Sequence, residues 1–216
     1  MQRLLQHGRL DATGRLPHIH SMNGRRTRFF VIAILFIVAS CETPIQSRSF
    51  PQQTFQHLTP ISLDVANIRI VRLFNPPLKE PHIEHEMPVP PIKAIERWIT
   101  ERILAVGASG QAVITIRDAS VIETGLKRAG GIRGTFTTDQ SERYDARIEV
   151  EIRAADGRGI RTAKARTTSS RSRSISEDAT LNERRTLWYE LTERVMSDFN
   201  RTFEMQIRKH LAPFLK

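Results

Sequence analysis

Residues 143 to 154, Arg-Tyr-Asp-Ala-Arg-Ile-Glu-Val-Glu-Ile-Arg-Ala, alternate charged and apolar side chains without a break. A period of two is that of a β-strand, so Tyr144, Ala146, Ile148, Val150, Ile152 and Ala154 form a buried face. Arg143, Asp145, Arg147, Glu149, Glu151 and Arg153 then form a wet one. A strand wet on one side fits an antiparallel sheet covered on its other face. Asp156-Gly157 supplies a turn, and the chain returns over Ile160 to Thr168, with Ala163 and Ala165 on one face and Lys164 and Arg166 on the other. Small inward residues leave room for a helix to approach closely.

Working upstream, Gln111-Ala-Val-Ile-Thr-Ile-Arg117 is β-rich. Its apolar parity shifts from Ala112, Ile114 and Ile116 to Ala119 and Val121, which predicts a bulge near Asp118. Before it, Pro90-Pro91 opens a helix whose apolar face is Ile92, Ile95, Ile99 and Ile103 with Trp98 alongside, and Gly107 is its expected stop. A first strand falls within residues 61 to 74, followed by a loop that Asn75-Pro-Pro and Pro81 force to be extended.

Downstream, Thr180-Leu-Asn-Glu183 has capping-box spacing. Leu187, Leu191, Val195, Phe199, Phe203 and Ile207 then recur every four residues until Pro213. A four-residue step drifts around a helix, giving a slanted apolar stripe suited to crossing a sheet. The expected fold is therefore α+β: an antiparallel sheet of about four strands with two helices packed on one face, in the order β-α-β-β-β-α.

The N-terminus has a different character. Residues 29 to 39, Phe-Phe-Val-Ile-Ala-Ile-Leu-Phe-Ile-Val-Ala, form an apolar run of 11, preceded by Arg25, Arg26 and Arg28. A spanning helix needs about 20 apolar residues, so the run fits the core of a signal peptide instead. Val38-Ala39-Ser40-Cys41 resembles the lipobox of bacterial lipoproteins, and Cys41 is the chain's single cysteine. The resemblance implies diacylglycerol on the Cys41 thiol, cleavage just before it and acylation of the new N-terminus. Residues 1–21 are expected to be an upstream extension, with translation starting at Met22. Residues 22–40 are then the lipoprotein signal peptide, 41–60 a lipidated flexible tether rich in Ser, Thr, Gln and Pro, and 61–216 the globular domain.

Among the 216 residues, 33 basic against 23 acidic side chains give a net charge of +10. Residues 1–40 hold six arginines and one acid, so half of that excess precedes Cys41. The remainder is only mildly basic, and an exported chain does not meet nucleic acid, so no nucleic-acid partner is expected. With one cysteine, no intrachain disulfide and no Cys-rich zinc site can form.

Four constellations merit weighing. Lys127, Arg128 and Arg133 lie in a glycine-rich hairpin, residues 127–134, whose backbone N–H groups and cations suit an anion such as a lipid phosphate. His82-Ile-Glu-His-Glu86 has metal-binding residue types, but between Pro81 and Pro88 it reads as extended, with His82 and His85 on opposite faces, so no metal is expected. Arg158, Arg161, Lys164, Arg166, Arg171 and Arg173 form a basic tract mostly on a wet strand face. Asp118 and Glu123 could pair only if they shared a cleft. No G-x-S-x-G, nucleotide fingerprint or Ser–His pairing supports catalysis, so neither catalytic residues nor a cofactor are expected.

The element order behind a lipobox resembles the LptE-like lipopolysaccharide-assembly lipoproteins. That resemblance implies a non-enzymatic, lipid-anchored accessory or assembly subunit that binds another envelope component. It would face the periplasm from the outer membrane, Glu42 lacking the aspartate that retains lipoproteins at the inner one. The alternative is a module that binds or transfers lipid or lipopolysaccharide through hairpin 127–134, with anionic lipid as its partner.

Overall fold

The computed structural model describes residues 49–126 and 140–216. Its centre is the alternating segment, strand β5 (Gln140–Ala155), flanked on either side by β4 (Gln111–Gly125) and β6 (Thr162–Ser176) in antiparallel pairing. All six expected inward residues of β5 are buried. The β4–β5 register slips between Ile116 and Asp118. One extra residue, Arg117, exchanges the faces, so Ile116 and then Ala119 and Val121 all point inward.

Residues 61 to 74 hold two short strands, β1 (Ile61–Leu63) and β2 (Asn67–Arg72), where the pattern led us to expect one. β2 completes a four-stranded sheet of order β2-β4-β5-β6, and it runs parallel to β4. The sheet is thus mixed, which corrects the expected antiparallel one. The cause is the connection: helix α1 (Pro91–Arg102) lies between β2 and β4, and a helical crossover returns the chain in its original direction. β1 likewise pairs in parallel with β3 (Ile103–Ala105) as a separate two-stranded sheet. With β1 and β2 taken as one bent strand and β3 and β4 as another, the order is β-α-β-β-β-α.

The first helix begins at Pro91, behind Pro90 as its cap, and buries Ala94, Ile95, Trp98 and Ile99. It ends at Arg102, earlier than Gly107: Ile103 turns extended and enters β3, because pairing with Ile61–Leu63 outweighs one more helical turn. Gly107 serves close approach instead. A Cβ there would lie 2.6 Å from the Asp64 carbonyl carbon and the Val65 nitrogen, so no larger residue fits.

The last helix, α2 (Leu181–His210), opens with the capping box formed as the spacing predicts: Thr180 Oγ1 accepts from the Glu183 N–H, and Glu183 accepts from the Thr180 N–H. Its buried stripe contains Leu191, Val195, Phe199, Phe203 and Ile207. It crosses β6 and β5, and α1 packs against α2 and β4, so both helices cover one sheet face. Over the first part of β6 it meets small side chains; Ala165, Thr167 and Ser169 are buried there, and Thr202 is hydrogen-bonded to Thr167 at 3.0 Å. The Trp98 ring lies 5.1 Å from Phe199, and its Nε1 donates to Asn200 at 2.7 Å, tying α1 to α2.

Much of the stretch expected to be tether is packed onto this unit. Phe55 belongs to the core, its N–H donating to Glu101 at 2.5 Å, and Phe50 stacks on Tyr189 with centroids 5.4 Å apart. The Arg102 guanidinium is buried and donates to the Thr59 carbonyl and to Glu204. Apolar residues at 50, 55 and 58, spaced too widely to read as an element, are sufficient to dock an extended segment.

Candidate functional site

Cys41 and the hairpin residues Lys127, Arg128 and Arg133 lie outside the described residues. The other constellations can be placed. His82 and Glu84 lie on one side, as the i, i+2 positions of an extended chain do: His82 Nδ1 lies 3.0 Å from Glu84 Oε1, which also accepts the Val121 N–H at 2.7 Å. Beyond it the chain leaves the expected extended path at a turn closed by the Glu86 N–H on the Ile83 carbonyl. Glu84 is 1% exposed and fastens the loop to β4. Among the described residues, no group of three or more His, Cys, Asp or Glu is placed to hold a metal ion.

The basic tract divides between two faces, which corrects its reading as mostly wet strand face. Lys164 and Arg166 do point away from the helices, to Glu151 (3.1 Å) and Glu149. Arg171 and Arg173 share the pleat parity of Ala165 and reach Asp198 and Glu190 on α2. Arg161 stacks on Phe214 and faces Asp64. Asp118 and Glu123 fall on opposite sheet faces, since Asp118 pairs with Arg147 on the outer side while Glu123 is in register with the inward Tyr144. They share no cleft.

The densest array of charge lies on the outer face of the sheet. From β5 it takes Arg143, Asp145, Arg147, Glu149, Glu151 and Arg153; β4 adds Arg117 and Asp118, and β6 adds Lys164 and Arg166. Arg69 of β2, in register with the outward Val113, extends it. These amount to seven cations against four carboxylates. The two signs are not equally accessible. The Glu151 and Glu149 side chains are only 3% and 11% exposed, whereas those of Arg147, Arg153 and Lys164 are 50% exposed or more. Glu149 is held by Arg147 at 3.1 Å, Arg117 at 3.3 Å and Arg166; Glu151 by Arg153 at 2.5 Å and Lys164 at 3.1 Å.

Partial burial raises the pKa of each of these two glutamates, but the hydrogen bonds and charge of their cations outweigh it and leave both carboxyls below their ordinary range. They stay ionised and act as buried pegs that fix the long cationic side chains. On the inner side, burial and then the charge of Glu123 push the Tyr144 phenol up, so Tyr144 is a neutral donor to Glu142 at 2.6 Å. Arg184 closes this group on Glu142 and Tyr144.

The strand alternation marked the outer face as wet. It did not reveal which charges would be covered, because that depends on cross-strand register: Glu149 and Glu151 lie at the sheet centre and their cations converge from neighbouring strands. The signal that was available is the run Arg147, Glu149, Glu151, Arg153, two acids flanked by cations on one face.

A cavity of about 520 Å³ lies between Gln52–Gln53, the Pro88–Pro90 turn and α1, with Lys93, Glu96, Arg97 and Glu101 on its walls. Lys93 and Arg72 both pair with Glu96 there. Among the described residues no helix is long and apolar enough to cross a membrane.

Comparison with solved structures returns a Xanthomonas campestris protein of the family DUF330, 14% identical, covering 67% of this chain and 86% of its own, with a TM-score of 0.30. The rare lipoprotein B of Shewanella oneidensis is also similar, at 13% identity, 63% and 95% coverage, and a TM-score of 0.28. No family model and no curated protein matches the chain.

Proposed function

We propose that this chain is a lipid-anchored lipoprotein of a bacterial envelope, acting without catalysis as an accessory or assembly subunit that binds another envelope component. The observation that carries the reading is the position of Cys41. The sole cysteine closes a Val-Ala-Ser-Cys box at the end of an 11-residue apolar run, and a folded unit is in place by Phe50, eight intervening residues later. A cysteine so placed is suited to acylation, and a unit so close behind it is suited to work at a membrane surface. A sheet face lined with cross-strand ion pairs suits a binding role.

The test compares the full-length chain with its Cys41→Ala variant in cells fed labelled palmitate. The wild type takes up label and fractionates with the envelope; the variant takes up none and accumulates as the uncut precursor. Equal labelling or normal cleavage of the variant would contradict the anchor.

A further inference from the structure

We infer that the outer face of the four-stranded sheet is a docking surface for an acidic patch on another protein, a reading that rests on the proposed subunit role and gives it a place on the molecule. What a partner meets there is mainly cationic, with Asp145 and Asp118 as the more accessible acids, 39% and 25% exposed. Glu149 and Glu151 are sunk beneath their cations, while Arg143, Arg147, Arg153 and Lys164 each keep 50% or more of the side chain exposed. Arg147 and Arg153 are oriented by the covered Glu149 and Glu151, and Arg143 by the more exposed Asp145, so each guanidinium is already held in place and little rotamer freedom is lost when an incoming carboxylate binds. Thr168, Ser170 and Ser174 stand exposed between them on β6 and add hydroxyl partners. Of the exposed large apolar residues, Ile70 is in register with the inward Ile114, Leu104 lies in β3 and Met205 on α2. Recognition on this face is therefore by charge.

The direction of the tether favours a protein over lipid headgroups as the occupant. Eight residues separate Cys41 from Phe50, a leash of at most about 30 Å. It joins the folded unit on the helix side, where Phe50 stacks on Tyr189 and the Arg185 guanidinium covers its ring. A lipid on Cys41 would therefore tether the chain from the helix side, the face opposite the cationic one.

The experiment places a photo-crosslinking amino acid at Thr168, exposed on the outer face, or at Met205, exposed on α2, in the full-length chain in intact cells. The expected result is one protein adduct from Thr168 that falls about tenfold in an Arg143→Gln, Arg153→Gln background, as rim charges govern association, and persists in the Arg143→Lys, Arg153→Lys background. Lysine keeps the charge, so that background separates lost charge from lost fold. An adduct with lipid alone at Thr168, or a protein adduct indifferent to the glutamine pair, would overturn the inference. A protein adduct only from Met205 would overturn it while leaving the subunit role standing. No protein adduct from either position would overturn both.

Discussion

Two kinds of buried carboxylate hold this molecule together. Glu84 joins a loop to a strand by accepting the Val121 N–H, so Glu84→Ala strands a buried backbone donor. That should cost about 1–3 kcal/mol of stability, read as a lower midpoint in urea unfolding; an unchanged midpoint would show the bond to be unimportant. Glu149 and Glu151 are instead the pegs of the outer face. Their folded pKa values lie below the ordinary 4.5, so their contribution is fully present above that pH and is lost as the pH falls through the lowered values. Removing cations with Arg147→Gln and Arg166→Gln leaves Glu149 with Arg117 alone to offset its burial, so the loss of stability on acidification should start at a higher pH than in the wild type. Coincident acid-unfolding curves would contradict the pairing. Both acids were legible as members of a strand, and neither was legible as buried, because covering them requires Lys164 and Arg166 from a strand whose register one sequence does not reveal.

Elements are the scale at which the chain declared itself best. The alternation of β5, the bulge at Asp118 and the Thr180 capping box all follow from local spacing, and all three stand in the structure. Thr180→Ala should accordingly lower stability by about 1 kcal/mol, seen in thermal unfolding followed by circular dichroism. The close crossing of α2 over β6 depends on small residues beneath it, among them the buried Ala165. Ala165→Leu should force the helix outward at about 1–3 kcal/mol, whereas Lys164→Leu, on the other face, should cost far less; equal costs would contradict the layer assignment. The direction of β2 was not legible, since a strand's own pattern does not reveal which way its neighbour runs. Nor was the end of α1 at Arg102, where Ile103 has an apolar partner in β1 as good as any in the helix.

For the whole molecule, the β-α-β-β-β-α order fixes three surfaces with separate roles. Helices α1 and α2 close the core, the segment from Phe50 to Pro60 is docked alongside them, and the sheet's outer face is left open. Because that segment is packed rather than loose, Phe55→Ala should both weaken the core and free it, increasing its cleavage by protease in limited digestion. A digestion pattern identical to that of the wild type would show the segment to be held by other contacts. In the proposed function, this unit reaches its place of work through a lipid on Cys41. That route is tested most directly by the intact mass and N-terminal peptide of the mature protein extracted from membranes. The lipid anchor requires a chain beginning at Cys41 and carrying diacylglycerol with or without a further acyl group; a mature protein that retains residues before Cys41, or bears that cysteine unmodified, would contradict it.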